Sequence, residues 1–356
     1  MVAADQIGRA VPAAGAARYR ALAARRAALI GMIVLALLVS IAFDIALGPA
    51  NYPLSEVIAT LVDAGGADVQ QRVVVWAIRM PIALLAVVTG AALSVAGAQM
   101  QTILGNPLAS PFTLGISAAA SFGAALAIVL GIGLPGALVW AVPLNAFVMA
   151  MGAALVIHFA SSLRGVAVET IILLGIALVF TFNAALALMQ FLASEQALGA
   201  VVFWTMGSLT KATWPKVAII AAVLVIVLPL MMRQAWALTA LRLGDDKAAA
   251  MGINVRRLRL QVMLLVALLA AVPVAFVGTI GFVGLVGPHI ARMLVGEDQR
   301  FFLPASALAG ATMLSATSVL SKILIPGAIL PVGVVTALVG VPFFIVLIFT
   351  SRRRAW

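Results

Sequence analysis

Between Arg79 and Arg164 the chain runs for 84 residues without one Asp, Glu, Lys or Arg. A charge at mid-bilayer is costly and avoided, so charges bracket membrane-crossing segments. A stretch of 84 uncharged residues has room for three crossing helices of about 20 residues each. Two clusters of helix breakers divide it: Gly105-Asn106-Pro107 with Pro111, and Gly133-Leu134-Pro135-Gly136.

The rest of the sequence obeys the same rule. Of the 356 residues, 65% are apolar and 9% charged, with a mean hydropathy of +1.22. A soluble domain is roughly half apolar and a quarter charged. The chain is therefore read as an all-α, polytopic membrane protein. Ten spans are predicted, at 27–47, 77–99, 112–132, 137–160, 170–192, 216–235, 260–277, 280–295, 303–322 and 332–350. The seventh and eighth are short, because only 32 residues separate Arg259 from Arg292. A short, half-buried helix is expected within 194–208. The apolar run that follows Arg25 and Arg26 has no convincing cleavage site and is read as a retained first helix, preceded by a flexible cytoplasmic tail over 1–26.

With the N-terminus inside, 17 of the 22 Lys and Arg residues fall in cytoplasmic segments; Arg72, Arg79, Lys211, Lys216 and Lys322 fall outside. After subtraction of the acids, the inner face carries the whole net charge of +11 and the outer face carries none. That is the positive-inside pattern, and it places both termini in the cytoplasm. The basic excess is thus a matter of topology, with no nucleic acid implied. The absence of Cys and the presence of only two His, His158 and His289, remove thiolate metal sites and cysteine catalysis from consideration.

No G-x-x-x-x-G-K-[ST] phosphate loop is present, since none of the four Lys follows a Gly. Carriers driven by an ion place charged residues mid-span. The nearest candidates here, Asp44 and Glu169, are both expected at interfaces. The energy for transport is therefore expected from another polypeptide. Gly244-Asp-Asp-Lys-Ala-Ala-Ala-Met-Gly252 encodes a short helix in the longest inner connection, with Gly244 and Asp245 able to cap its start and Gly252 its end. Its Ala-rich surface suits docking into a groove on a soluble partner, although a solvated surface helix would have the same composition. Gly278, Gly281, Gly284 and Gly287 recur every three residues, as a close helix–helix contact or a bending element requires. His289 is expected to hydrogen-bond to a neighbouring helix. Gln99, Asn183 and Gln190 are polar groups in or near spans that can line a pathway; interhelical hydrogen bonding is the other use of such amides.

Three segments together resemble the FecCD-type permeases, the membrane subunits of ABC importers for ferric siderophores, haem and cobalamin. The first joins Arg79-Met-Pro, Gly90-Ala-Ala-Leu-Ser-Val-Ala-Gly-Ala-Gln-Met-Gln and Gly105-Asn-Pro-Leu-Ala-Ser-Pro-Phe-Thr-Leu-Gly-Ile-Ser. The second is Trp204-Thr-Met-Gly-Ser-Leu with Leu243-Gly-Asp-Asp-Lys-Ala-Ala-Ala-Met-Gly-Ile. The third is Gly281-Phe-Val-Gly-Leu-Val-Gly-Pro-His-Ile-Ala-Arg with Leu330-Pro-Val-Gly-Val-Val-Thr-Ala-Leu-Val-Gly-Val-Pro-Phe-Phe.

The resemblance implies a type II importer permease domain over 27–356, working in the bacterial inner membrane as a homodimer. Its halves, 77–192 and 260–350, would be related by inverted topology, with a coupling loop at 239–258. It also implies two ATP-binding subunits, which bind ATP and Mg while this chain holds no cofactor, and a periplasmic binding protein. By residue, Arg79 and Lys322 match docking positions for the binding protein. Gly244, Asp245, Asp246, Lys247, Ala248, Ala249, Ala250, Met251 and Gly252 match the coupling element. Asn106, Pro107 and Leu108, with Val168, Glu169 and Thr170, match the cytoplasmic gate. Two positions depart from the family pattern: Ile82 stands where a second Arg is usual, and Ile329 where a Glu is usual. The cargo implied is a ferric siderophore, with haem or cobalamin as alternatives; an ion-coupled carrier and a membrane-embedded enzyme are the competing classes.

Overall fold

The computed structural model describes residues 2–48, 52–63, 65–66, 68–133, 138–163 and 168–351. Arg164 and Arg352 to Arg354, which bracket predicted spans, lie outside the described residues, as do 134–137, which hold most of the second breaker and the expected start of the fourth span. Among the described residues all regular structure is helical apart from one isolated bridge between Ile325 and Ala328. In chain order the helices are α1 (Val2–Ala46), α2 (Leu54–Val62), α3 (Val69–Arg72), α4 (Met80–Leu104), α5 (Ile116–Leu130), α6 (Leu138–Ser162), α7 (Val168–Leu192), α8 (Glu195–Thr205), α9 (Trp214–Arg233), α10 (Ala235–Leu241), α11 (Asp245–Ala250), α12 (Val255–Val277), α13 (Val283–Val295), α14 (Gln299–Ile323) and α15 (Val332–Ser351). A π-helical segment, Val73–Arg79, joins α3 to α4.

Among the described residues, seven stretches are long and apolar enough to cross a bilayer: Arg20–Ala46, Val69–Leu104, Trp140–Ser161, Val168–Leu192, Trp214–Arg233, Val255–Val277 and Gln299–Ile323. Three shorter apolar helices, Ile116–Leu130, Val283–Val295 and Val332–Val346, take the remaining three positions of the ten expected from charge spacing. The helix expected within 194–208 is α8, with Ser194 accepting from the Ala197 amide at its start. Residues 2–26, read from sequence as a tail, instead continue α1 as helix. Alanine, the strongest helix former, dominates that segment and offsets the single Pro12.

The centre of the molecule is α4, which packs against α14, α12, α13 and α9. Nearly every residue from Pro81 to Leu104 is buried. It gets so close to its neighbours because the crossings are made by glycine: a Cβ on Gly97 would overlap the Gly284 carbonyl of α13, and one on Gly90 would overlap Gly310 of α14. Of the Gly-every-third-residue run, Gly278, Gly284 and Gly287 are close-packed, against Trp204, Leu93 and Ser94 respectively, whereas Gly281 faces open space. The packing use of that run therefore holds at three of its four members. Phe282, at the entry to α13, has φ +66°, a left-handed conformation that bulky side chains rarely adopt.

Candidate coupling and docking sites

Two clusters of charge lie at opposite ends of α4, whose 25 residues extend about 37 Å at 1.5 Å per residue. The cluster at the first end is organised by the C-terminus of α1. The last four carbonyls of any helix have no donor within it, and a cation is favoured there. Arg79, aimed by the π-helical segment that ends on it, donates from Nη1 to the carbonyls of Ile45 (2.9 Å) and Ala46 (2.7 Å) and lies over the Tyr52 ring. Lys322, near the end of α14, donates from Nζ to the Asp44 carbonyl (2.5 Å) and to Asp44 Oδ1 (2.7 Å), which also accepts from Ser318 Oγ (2.8 Å).

Asp44 has no exposed side-chain surface and Lys322 only 5%. Asp44 lies two residues before the end of α1, and α14 brings a lysine and a serine to it, so that the pair is buried together. Glu169 is exposed in the first turn of α7, where a carboxylate suits the helix dipole. Arg79 is likewise buried, so both cations singled out as docking residues turn their heads inward to close the end of α1. Beside Lys322 is a cavity of about 20 Å³, room for one water, whose lining includes Ile82, Ser208, Thr210, Ser318 and Ile329. The two departures from the family pattern, Ile82 and Ile329, thus share one small space.

The cluster at the other end of α4 contains the short helix expected in the long connection. Gly244 precedes α11 at φ +103° and Gly252 follows it at φ +82°, both conformations that glycine supplies without strain. Ala248 is fully buried, while Asp245, Asp246, Lys247, Ala249, Ala250 and Met251 are exposed. Asp245 does not cap α11. Its two carboxylate oxygens accept from Nη1 and Nη2 of Arg259, each at 2.8 Å, and Arg259 Nε donates to the Ile103 carbonyl at 2.8 Å. Arg242, just after α10, pairs with Glu297. Arg292 Nε is 3.0 Å from the same carboxylate as a charge contact, and its Nη2 donates to Gln101 Oε1 at 2.9 Å.

In the same region Asp298 accepts from Arg300 and lies 3.6 Å from Arg26. The Arg300 hydrogen bond holds its carboxyl below the usual carboxylate range, against the opposing effect of burial.

The turn expected to form part of a gate follows directly. Gly105, at φ +58°, ends α4; the Asn106 amide donates to the Gln101 carbonyl (3.2 Å), and Asn106 Oδ1 accepts from the Leu108 amide (2.9 Å). Pro107 sits between them, and Leu108 is exposed. Val168 is half-buried, and Glu169 and Thr170 are exposed, at the start of α7. Of the three residues offered as pathway lining, Gln99 is corrected: it is fully buried, and its Nε2 donates to Gln299 Oε1 at 2.8 Å, so the amide joins α4 to α14. Asn183 is exposed and Gln190 half-buried on α7. His289 meets Phe343 of α15 edge-on, an aromatic contact where a hydrogen bond was expected. The sequence-distant partners of Arg259 and Arg79 were not legible in sequence; only their placement at span ends was.

Residues 35–350 match the FecCD transport family. The chain belongs to that family. Among its relatives, the hemin transport system permease protein HmuU of Yersinia pestis is 36% identical over 325 residues, covering 90% of this chain and 97% of that protein. The vitamin B12 import system permease protein BtuC of Vibrio vulnificus is 35% identical, over 77% of this chain and 82% of that protein. The solved structure of a metal-chelate type ABC transporter in an inward-facing conformation matches with a TM-score of 0.79 at 30% identity, covering 90% of this chain and 98% of that one. The FecCD match begins within α1 and ends in α15, so it takes in both charge clusters and every predicted span except the first few residues of the first.

Proposed function

We propose that this chain is the membrane-spanning subunit of an ATP-driven importer that moves a ferric siderophore across the bacterial inner membrane. The observation that carries the ATP-driven part is the surface of α11: Ala249, Ala250 and Met251 stand exposed on a helix anchored beneath by buried Ala248 and laterally by the Asp245–Arg259 pair. Two ATP-binding subunits dock there, with residues 239–258 as the coupling loop; they hold the ATP and Mg, and hydrolysis is theirs. Both termini and this loop are cytoplasmic, in line with the +11 charge of that face.

A second copy of the chain completes the pathway. On α7, Leu173, Phe180 and Phe191 are exposed beside Asn183 and Gln190, and this face meets the partner copy and the cargo. Asn106 to Leu108 and Val168 to Thr170 form the inner gate, and the halves 77–192 and 260–350 are inverted repeats. A binding protein docks on the outer rim, which Arg79 and Lys322 shape by closing the end of α1. Haem or cobalamin is the alternative cargo, favoured by the names of two relatives. An ion-coupled carrier draws on one observation: Asp44 is buried with Oδ2 lacking a hydrogen-bond partner.

The test is Ala249→Glu in the complex purified with its ATPase. A carboxylate in the docking surface should abolish uptake while ATP hydrolysis and the dimer persist. Normal uptake with normal coupling would refute the assignment of α11.

A further inference from the structure

We propose that Arg259 is a positioning residue that ties the coupling helix to the gate turn, through the last turn of α4. The proposal rests on the reading of α11 as the ATPase contact, and adds the route by which a displacement there reaches Asn106.

The geometry is that of a rigid three-way joint. The guanidinium plane fixes five donors in a fork, and an Arg–carboxylate pair made through two parallel bonds resists rotation where a single-point ammonium contact does not. Arg259 uses Nη1 and Nη2 on the two oxygens of Asp245 and Nε on the Ile103 carbonyl, all at 2.8 Å. Three elements thereby meet on one side chain: α11 through Asp245, α12 through Arg259 itself and α4 through Ile103.

The carbonyl it holds is one of the four that α4 leaves without an internal donor, so the bond also satisfies a helix end. An exposed ion pair alone would contribute little, and Asp245 is 51% exposed. The carbonyl bond is what gives the pair a mechanical consequence.

A second route ends one turn away. Arg242 and Arg292 share Glu297, and Arg292 donates to the Gln101 side chain. The Gln101 backbone carbonyl in turn accepts from the Asn106 amide, and Asn106 Oδ1 holds Leu108. Residues 101 and 103 are therefore both gripped by arginines from the coupling side, and both lie in the turn from which the Asn106-Pro107-Leu108 segment hangs. Movement of α11 relative to α12 must pull or release this turn, because Arg259 cannot keep both contacts otherwise.

The test uses the full complex, co-purified with its ATPase in proteoliposomes, and measures ATP hydrolysis alongside uptake of a ferric hydroxamate siderophore, hemin and cobalamin as probes. Arg259→Gln should lower the uptake per ATP hydrolysed by about fivefold or more, the range of a moderate coupling energy. Gly152→Ala on α6, outside the coupling loop and with open space around the added Cβ, should leave the ratio unchanged.

The decisive variant is the charge swap Asp245→Arg with Arg259→Asp. It restores an ion pair but leaves nothing on residue 259 to donate to Ile103, so the ratio should stay as low as in Arg259→Gln while hydrolysis persists. A swap that restores the ratio would mean the pair is merely structural, and would overturn the proposal. So would an unchanged ratio in Arg259→Gln alongside uncoupling in Ala249→Glu, an outcome that leaves the reading of α11 standing. Failure of Ala249→Glu to uncouple would refute that reading instead.

Discussion

Lys322 and Asp44 are 278 positions apart in sequence and 2.7 Å apart in space. Breaking a buried pair by removing one partner leaves an uncompensated charge, at a cost of about 3–5 kcal/mol. Lys322→Met should therefore lower the thermal stability of the purified chain sharply, and adding Asp44→Asn should recover most of the loss. Equal stability of wild type and Lys322→Met in detergent would show that the pair is solvated. That a cation sits at each of these span ends was readable from charge spacing. What each cation does was not, because spacing carries no information on which carbonyls from a distant helix need a donor. Arg79 and Arg259 illustrate the same point: both were located by the bracketing rule, and both turn out to complete a helix C-terminus, of α1 and α4 respectively. Gln99 was ambiguous for a related reason, since a buried amide that donates to Gln299 and an amide facing a pathway have the same sequence signature.

At the scale of elements, the crossings of α4 depend on absent side chains. Gly97→Leu places a branched side chain where the α13 backbone already lies, and the helices must separate. Overpacking of this kind costs about 1–3 kcal/mol, more where backbone is in the way. The expected result is loss of folded, monodisperse protein, whereas Gly152→Ala on α6, where a Cβ meets nothing, should behave as wild type. The seven long apolar helices and the three shorter ones fall where the charge-free stretches were expected, because avoidance of mid-bilayer charge leaves its mark in sequence. The helical course of residues 2–26 was not legible, since an Ala-rich segment broken by arginines reads as a tail when charge spacing is the guide. Nor was the π-helical segment before α4, which has no compositional marker and yet sets where Arg79 points.

At the scale of the whole molecule, α4 links the two ends of the subunit: its first residues adjoin the cap on α1 and its last turn is held by Arg259 and Arg292. On the proposed reading, the chain supplies a framework with a docking helix at one end and leaves the chemistry of energy supply to a partner. The most direct test of that division is uptake into proteoliposomes holding the complex, with ATP enclosed and the binding protein outside. Labelled ferric siderophore, hemin and cobalamin are offered in turn, with and without a protonophore. The account predicts that one of these accumulates only when ATP is hydrolysed, and equally well with the protonophore present. Accumulation that needs no ATP and collapses with the protonophore would contradict it, and would make the buried Asp44 the centre of an ion-coupled carrier.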